Sequence, residues 1–266
     1  MKVLAITQAR YGSTRLPAKI LKEVGGMPLL EIHLRRILRS ELISELKVAT
    51  TPEEGAVYIT ALADQPGVGY HKGSVDDVLD RFYQTALPEN PDYVVRLTSD
   101  CPLIDPKIID LVIKTCIEGG YDYASNTLFP TYPDGMDTEV FKFSALRKAW
   151  EEARLQSEHE HVTPYIKKNS SVMGGSLFKS FNVEATADRS ELRMTIDEPR
   201  DFELIKALIE NVGIEARCSD YIAYLDAHPE VKAINSSIMR NEGYAKSLAN
   251  DKVIKYNWTQ FSGLVR

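Results

Sequence analysis

The sequence predicts an α/β protein in which strands and helices alternate about an open sheet, with an insertion over that sheet in the middle of the chain. Three observations predict it. Short apolar runs at 3–6, 46–49, 69–71 and 93–97 alternate with longer stretches of helical spacing at 28–39, 53–63, 76–86 and 106–116, as an α/β sheet requires. Two prolines, a glycine and aromatic residues between 126 and 136 then break the alternation. The 266 residues suffice for one large α/β domain carrying insertions and a tail.

The first apolar run empties into T-Q-A-R-Y-G-S-T-R-L-P-A-K at 7–19. Here Arg10, Arg15 and Lys19 stand beside Gly12, Ser13 and Thr14, a set suited to neutralising several phosphate charges while backbone N–H groups approach the anion. A solvated basic turn explains the loop equally well when it is taken alone. The stretch 28–39 carries Leu29, Leu30, Ile32, Leu34, Ile37 and Leu38 on one face, which a core-packing helix explains. A strand at 46–49, a helix at 53–63 and a short strand at 69–71 follow, the last ending before Gly73 and Ser74. The helix at 76–86 has acidic residues in its first turn, where they complement the positive end of the dipole. The strand at 93–97 runs into T-S-D-C-P-L and so places Asp100 at its carboxyl end. In open α/β sheets ligands bind at that edge, and a carboxylate near a triphosphate loop is placed to hold a hard divalent cation. The alternative is that Asp100 caps a turn, helped by Pro102.

The helix at 106–116 starts with a proline and is ended by Gly119 and Gly120. A strand at 121–125, the irregular stretch at 126–136, a strand at 137–143, a helix at 144–154 capped by Ser144, and a helix or turn opening at 157–165 make up the middle of the chain. His159 and His161, with Glu158 and Glu160 beside them, invite a zinc reading. Residues two apart do not share a helix face, and a zinc helix uses positions i and i+4; a substrate contact by His161 or a polar contact between subunits fits better. One or two strands are expected in 173–183 and another at 192–196, ending at D-E-P-R-D. Asp197 is then either the N-cap of a helix at 199–209 or a second carboxylate ligand to the metal of Asp100. Beyond a helix at 219–227, a polar segment of weak periodicity runs to Tyr256, Asn257 and Trp258, as in an arm that packs on the core or on a second subunit.

The balance of 32 basic and 38 acidic side chains, a formal charge of −6, argues against broad binding of nucleic acid or membrane surfaces and leaves room for a local basic pocket. Cys101, Cys116 and Cys218 lack metal-ligand spacing and cannot all pair within one chain, so a reducing compartment, the cytoplasm, is expected. No long apolar run or signal peptide is visible, and no membrane insertion is expected.

Six motifs together carry a resemblance: 7–19 above, G-S-V-D-D-V-L-D-R-F (73–82), R-L-T-S-D-C-P-L-I-D (96–105), Y-P-D-G-M-D-T-E-V-F (132–141), S-E-H-E-H-V-T-P-Y (157–165) and T-I-D-E-P-R-D-F-E (195–203). Over residues 1–210 the chain resembles the spore coat polysaccharide biosynthesis protein F family of cytidylyltransferase-like proteins, which are similar to the bacterial enzymes that activate acidic sugars with CMP. The resemblance implies a three-layer, Rossmann-like nucleotidyltransferase fold with a mixed central sheet, akin to the A-type glycosyltransferases and working as a homodimer. It divides the chain into a nucleotidyltransferase domain at 1–218, with an inserted acceptor or dimerisation region at 126–185, and a C-terminal extension at 219–266. By the matching motifs, Arg10, Ser13, Arg15 and Lys19 would hold the triphosphate of CTP, and Asp100 and Asp197 would bind Mg2+. Ala9 and Arg10 would approach the cytidine through their backbone, with Gly12, Thr14 and Ser99 in the same nucleotide site. Gly73, Ser74, Asp77, Asp80 and Arg81 would line the base or sugar side, and Asp137, Glu139, His161 and Tyr165 would face the acceptor, a sugar acid. Two positions depart from the family pattern. Ala18 stands where a glycine usually precedes the lysine, with a slight backbone shift as the expected effect, and Tyr11 replaces an apolar residue.

The implied reaction is in-line attack of an acceptor hydroxyl on the α-phosphate of CTP, with Arg10, Arg15, Lys19 and Asp100 as its catalytic groups. Two other functions suit the same fold: a glycosyltransferase using a nucleotide-sugar donor, and a nucleotide-binding protein without catalysis. The first commonly shows Asp-x-Asp at a strand end, whereas Ser99 and Cys101 flank Asp100. Against the second stands the retention of every charged residue of the implied site.

Overall fold

The computed structural model describes residues 1–12, 15–64 and 67–254. In chain order it contains β1 (Val3–Gln8), a small hairpin of β2 (Glu23–Val24) and β3 (Met27–Pro28), α1 (Leu29–Ile37), β4 (Glu45–Thr50), α2 (Ala56–Ala63), β5 (Val68–Lys72), α3 (Val78–Ala86), β6 (Tyr93–Thr98) and α4 (Pro106–Glu118). The second half adds β7 (Tyr123–Ser125), β8 (Glu139–Lys142), α5 (Phe143–Glu152), α6 (Gln156–His161), α7 (Pro164–Lys168), β9 (Ser180–Asn182), α8 (Pro199–Val212), α9 (Cys218–Ala227), α10 (Pro229–Lys232) and α11 (Glu242–Ala249).

Seven strands form one sheet in the order β5-β4-β1-β6-β8-β7-β9. β5, β4, β1 and β6 run parallel, β8 lies antiparallel to both β6 and β7, and β9 is parallel to β7. This is the mixed sheet expected. The parallel strands are apolar on both faces because helices cover both. Val3 and Ala5 of β1 face α1, α2 and α4, while Leu4 and Ile6 face α3, α5 and α7. Three layers result. A further apolar cluster joins Leu29 and Ile32 of α1 to Leu204, Ile205 and Leu208 of α8 and to Tyr221 and Leu225 of α9.

Several boundaries differ from the sequence expectation. The stretch 192–196 forms no strand: its ladder pairing among the described residues is one isolated bridge between Asp134 and Arg193, and Ile196 N turns instead to Asp100 O; its period-2 pattern reflects Leu192, Met194 and Ile196 packing into the cluster over α8. α5 starts at Phe143 with Lys142 in the cap position and no side-chain cap, so Ser144 does not cap it. Asp197 does not cap α8 either: that position belongs to Glu198, and the Asp201 carboxylate accepts from both Asp197 N and Glu198 N at 2.9 and 3.0 Å. The expected end of the polar segment, Tyr256 to Trp258, lies outside the described residues.

Candidate active site

β1 ends beneath a loop whose anchors are apolar. Ala9 is buried and donates its backbone N–H to Ala49 O at 3.1 Å, and Leu16 and Ile20 sink into two core clusters. Between these anchors Arg10, Gly12 and Arg15 are exposed, while Ser13 and Thr14 lie outside the described residues. Ala18 adopts φ 52, ψ 31, the left-handed conformation that a glycine takes without strain. An alanine held there bears that strain. The Tyr11 ring lies against Gly55, where a Cβ would come 2.1 Å from the ring, and it stacks on Tyr58 with centroids 6.3 Å apart.

Lys19 leaves this loop as the first residue of a 3-10 turn. Its Nζ donates to Asp100 Oδ2 at 3.0 Å, Asp197 Oδ1 at 2.8 Å and Ile196 O at 2.7 Å. Asp100 follows β6, at the carboxyl end of the sheet. Asp197 reaches it because the chain at 195–196 is stapled to Asp100: Ile196 N and Thr195 Oγ1 both donate to Asp100 O, at 2.8 and 3.1 Å. Two carboxylates far apart in sequence thus converge on one ammonium. Arg15 Nη2 adds a second cation, 3.0 Å from Asp197 Oδ1. Burial opposes the charge on Asp100, but Lys19 and the hydrogen bonds prevail and hold its carboxyl at about 2. Burial likewise works against the Lys19 ammonium, and the two aspartates raise its pKa above the usual value.

Behind the pair stands Arg193, which the sequence reading missed. It is 7% exposed and reaches Asp197 at 3.1 Å, Asp201 at 2.9 Å and Asp134 at 2.7 Å. A charged residue inside the apolar alternation of 192–196 was its only signal. A buried fork of this kind fixes the carboxylates it binds.

The sugar-side residues expected at 73–81 lie at the start of α3. Gly73 N donates to Thr50 O at 3.0 Å, and a Cβ there would come 2.9 Å from Arg81 Cγ. Asp77 caps α3 by accepting from Asp80 N at 2.8 Å, and its other oxygen meets His159 Nδ1 at 2.9 Å. Asp80 accepts from Trp150 Nε1 at 2.8 Å, so both acids serve the helix and its neighbours. Arg81 is 2% exposed and donates to Ser74 O at 2.6 Å; burial, helped by the nearby charge of Arg10, pushes it down to about 10. The charge of Arg10, on the loop after β1, is thus felt at this turn. Ser99 is buried beside Asp100 and donates its N–H to Gln8 O at 3.4 Å.

The residues expected to face the acceptor separate into two groups. Glu139 is buried, with Arg96 Nη1 at 2.6 Å, Lys167 Nζ at 3.1 Å and Tyr123 Oη at 2.6 Å; burial raises its pKa, but the two cations overcome this and hold it at about 2. Asp137 takes Arg240 Nη2 at 2.5 Å. His161 Nε2 meets Ser247 Oγ at 3.0 Å, and burial pushes its imidazole down to about 4. These side chains neighbour one another. Tyr165 does not join them: its hydroxyl donates to Glu152, and its ring packs edge-on against Phe178. Its periodicity in the S-E-H-E-H-V-T-P-Y motif gave no warning of this. Val162, between the two helices of that motif, has φ 70 and ψ −53 with Thr163 N bonded to His161 O at 2.8 Å, a γ-turn of the rare positive-φ kind. The turn ends α6 at His161.

Among the described residues no cluster of three or more His, Cys, Asp or Glu side chains could hold a metal. The two convergent carboxylates nonetheless suit Mg2+, which is commonly held by one or two carboxylates together with substrate phosphates and water. No described helix is long and apolar enough to cross a membrane.

A family profile described as Cytidylyltransferase matches residues 4–224. The spore coat polysaccharide biosynthesis protein SpsF of Bacillus subtilis is 32% identical over 86% of this chain and 95% of its own. A 3-deoxy-manno-octulosonate cytidylyltransferase of Geobacter metallireducens is 25% identical over 81% of this chain and 93% of its own. Among solved structures, a cytidylyltransferase from Leptospira borgpetersenii is 35% identical with a TM-score of 0.82, covering 90% of this chain and all of that one.

Proposed function

The chain belongs to the cytidylyltransferase family, and from that premise we propose that it transfers CMP from CTP to a hydroxyl of an acidic sugar, releasing pyrophosphate, in the synthesis of a surface glycan. The observation that carries this reading is the convergence of Lys19, Asp100 and Asp197 at the carboxyl edge of the sheet, with Arg15 alongside. The named substrate of the Geobacter relative and the polysaccharide in the name of the Bacillus relative support the acceptor class.

Each residue has a task in this reaction. Arg10, Arg15 and Lys19 bind the triphosphate and neutralise the charge that grows on the leaving pyrophosphate. When the nucleotide enters, Lys19 turns from the carboxylates to the phosphates. Asp100 and Asp197 would then hold Mg2+, which when bound supplies charge neutralisation at the phosphate oxygens. Arg193 keeps Asp197 in place throughout. Gly73, Ser74 and Arg81 form the wall on the sugar side, and Asp137, Glu139 and His161 orient the acceptor. No nucleophilic side chain is required, since the acceptor hydroxyl attacks the α-phosphate directly.

Pyrophosphate release, measured with CTP, ATP, GTP and UTP against a panel of acidic sugars, tests the proposal. CTP with one acid is expected to stand out. In that assay Asp100→Asn, with its fold intact by circular dichroism, should lose on the order of a hundredfold or more in rate, because most of the gain in phosphoryl transfer comes from positioning and electrostatics. Undiminished turnover in the variant would sink the role given to Asp100.

A further inference from the structure

Residues 239–254 lie beyond the part matched by the family profile, yet they run across the acceptor side of the site. The segment is fastened at both ends. Upstream, the buried Asn235 donates to Asp201 at 2.9 Å and to Arg193 O at 3.1 Å. Downstream, Asp251 accepts from Ser157 N and Oγ at 3.0 and 2.7 Å, and Gln156 N donates to Lys252 O at 2.8 Å. Between these ties, α11 buries none of its residues. It touches the site through polar and aromatic edges: Ser247 on His161 at 3.0 Å, Tyr244 edge-on to the same imidazole at 5.0 Å, and Glu242 at 3.9 Å from Arg15. The segment thus spans from the triphosphate cations to the acceptor residues.

Arg240 is the cation this segment delivers. Its side chain is 16% exposed and faces Asp137, which is 27% exposed and so open to a ligand. Nη2 donates to Asp137 at 2.5 Å and Nη1 to Tyr132 O at 3.1 Å, but the buried Nε has no hydrogen-bond partner and stands 3.9 Å from Asp134 Oδ1. An unmatched buried donor is unfavourable. What sets Arg240 apart from the other cations nearby is the exposure of its partner: Lys167 and Arg96 are paired with the buried Glu139, Arg96 also carrying a buried Nε without a hydrogen-bond partner, and Arg193 spends its donors on three aspartates.

We propose that Arg240 selects the acceptor: its guanidinium takes the carboxylate of the incoming sugar acid, and Asp137 takes one of that sugar's hydroxyls. This rests on the acidic-acceptor reading above and adds to it a residue outside the family match. A guanidinium is matched in shape to a carboxylate and offers two parallel donors, so exchanging the acid for its carboxamide removes the charge and one acceptor oxygen.

The test compares the full-length protein with Arg240→Ala and Arg240→Lys in the pyrophosphate-release assay with CTP and Mg2+. Acceptors are acidic sugars, 3-deoxy-manno-octulosonate among them, each paired with its carboxamide. The wild type is expected to prefer acid over amide by at least tenfold in kcat/KM. In Arg240→Ala the acceptor KM should rise tenfold or more and the preference disappear, with the CTP KM changed less than twofold; Arg240→Lys should recover part of both. Should Arg240→Ala fail to fold, Arg240→Lys decides, because loss of the fork alone must raise the acceptor KM. Variants with the wild-type acceptor KM and preference overturn the proposal and leave the function standing. Absence of release by the wild type with every acid overturns the acidic-acceptor reading and this proposal with it.

Discussion

Ala18 holds a left-handed backbone at φ 52 one residue before the lysine that joins the two carboxylates. For an L-residue that conformation costs roughly 1–2 kcal/mol, and glycine recovers it at an entropic cost of about 0.5–1 kcal/mol in the unfolded chain. Ala18→Gly is therefore expected to raise the stability by roughly 0.5 kcal/mol, read as a higher urea midpoint at unchanged slope. A clear loss of stability would show that the alanine is not strained. At this scale the sequence was most informative where charge had to be placed. Lys19 was legible as a cation of the loop after the first apolar run, Asp100 and Asp197 because each follows an apolar run, and the resemblance implied one site for them; the two carboxylates lie 3.0 and 2.8 Å from Lys19 Nζ. Arg193 and Arg240 were not. One hides inside an alternating apolar stretch and the other in a polar one, and nothing local distinguishes a buried guanidinium from a solvated one.

α3 shows how an element can claim residues that a motif assigns to a ligand. Its N-terminus leaves backbone N–H groups unpaired, and Asp77 satisfies one of them at Asp80 N while holding His159. Burial lowers the pKa of His159, but the hydrogen bond and charge of Asp77 outweigh it and raise the value above the ordinary one. Replacing the cap, Asp77→Ala, is expected to cost about 1–2 kcal/mol of stability in chemical denaturation, and Asp77→Asn, which keeps the accepting oxygen, to recover most of it. An unchanged stability together with a raised CTP KM would instead mark Asp77 as a nucleotide ligand. Helices α1 to α5, α8 and α9 and the four parallel strands were readable from periodicity, since each buries a defined face. The pairing of β8 between β6 and β7 was not, because it depends on a chain reversal through the irregular stretch at 126–136. Nor could alternation alone reveal that 192–196 has no partner strand.

The helix at the end of the family match, α9, belongs to the core of the molecule. Tyr221 and Leu225 of α9 are 0% and 1% exposed and cover α8, while Arg36 of α1, also buried, donates to Ala216 O at 3.0 Å and to Tyr221 Oη at 3.4 Å. Each fully buried apolar side chain contributes about 1.5–3 kcal/mol, so losing α9 approaches the whole stability of about 5–15 kcal/mol of an ordinary domain. A chain stopped after residue 217 is accordingly expected not to fold. One stopped after residue 238 keeps α9 and the ties of Asn235, gives up only the exposed α11 and its neighbours, and is expected to melt cooperatively close to the full-length protein by circular dichroism. Equal behaviour of the two truncations would refute this division. The bridging lysine has a consequence of the same reach. With its ammonium between Asp100 and Asp197, the carboxylate pair carries its own counter-ion. On the function proposed above, a divalent cation arriving alone must evict that counter-ion into water, whereas one arriving with a triphosphate brings the lysine a new anion to hold. Metal and nucleotide then favour each other's binding reciprocally, as a single linked equilibrium, and the protein without nucleotide resists loading by free metal ions.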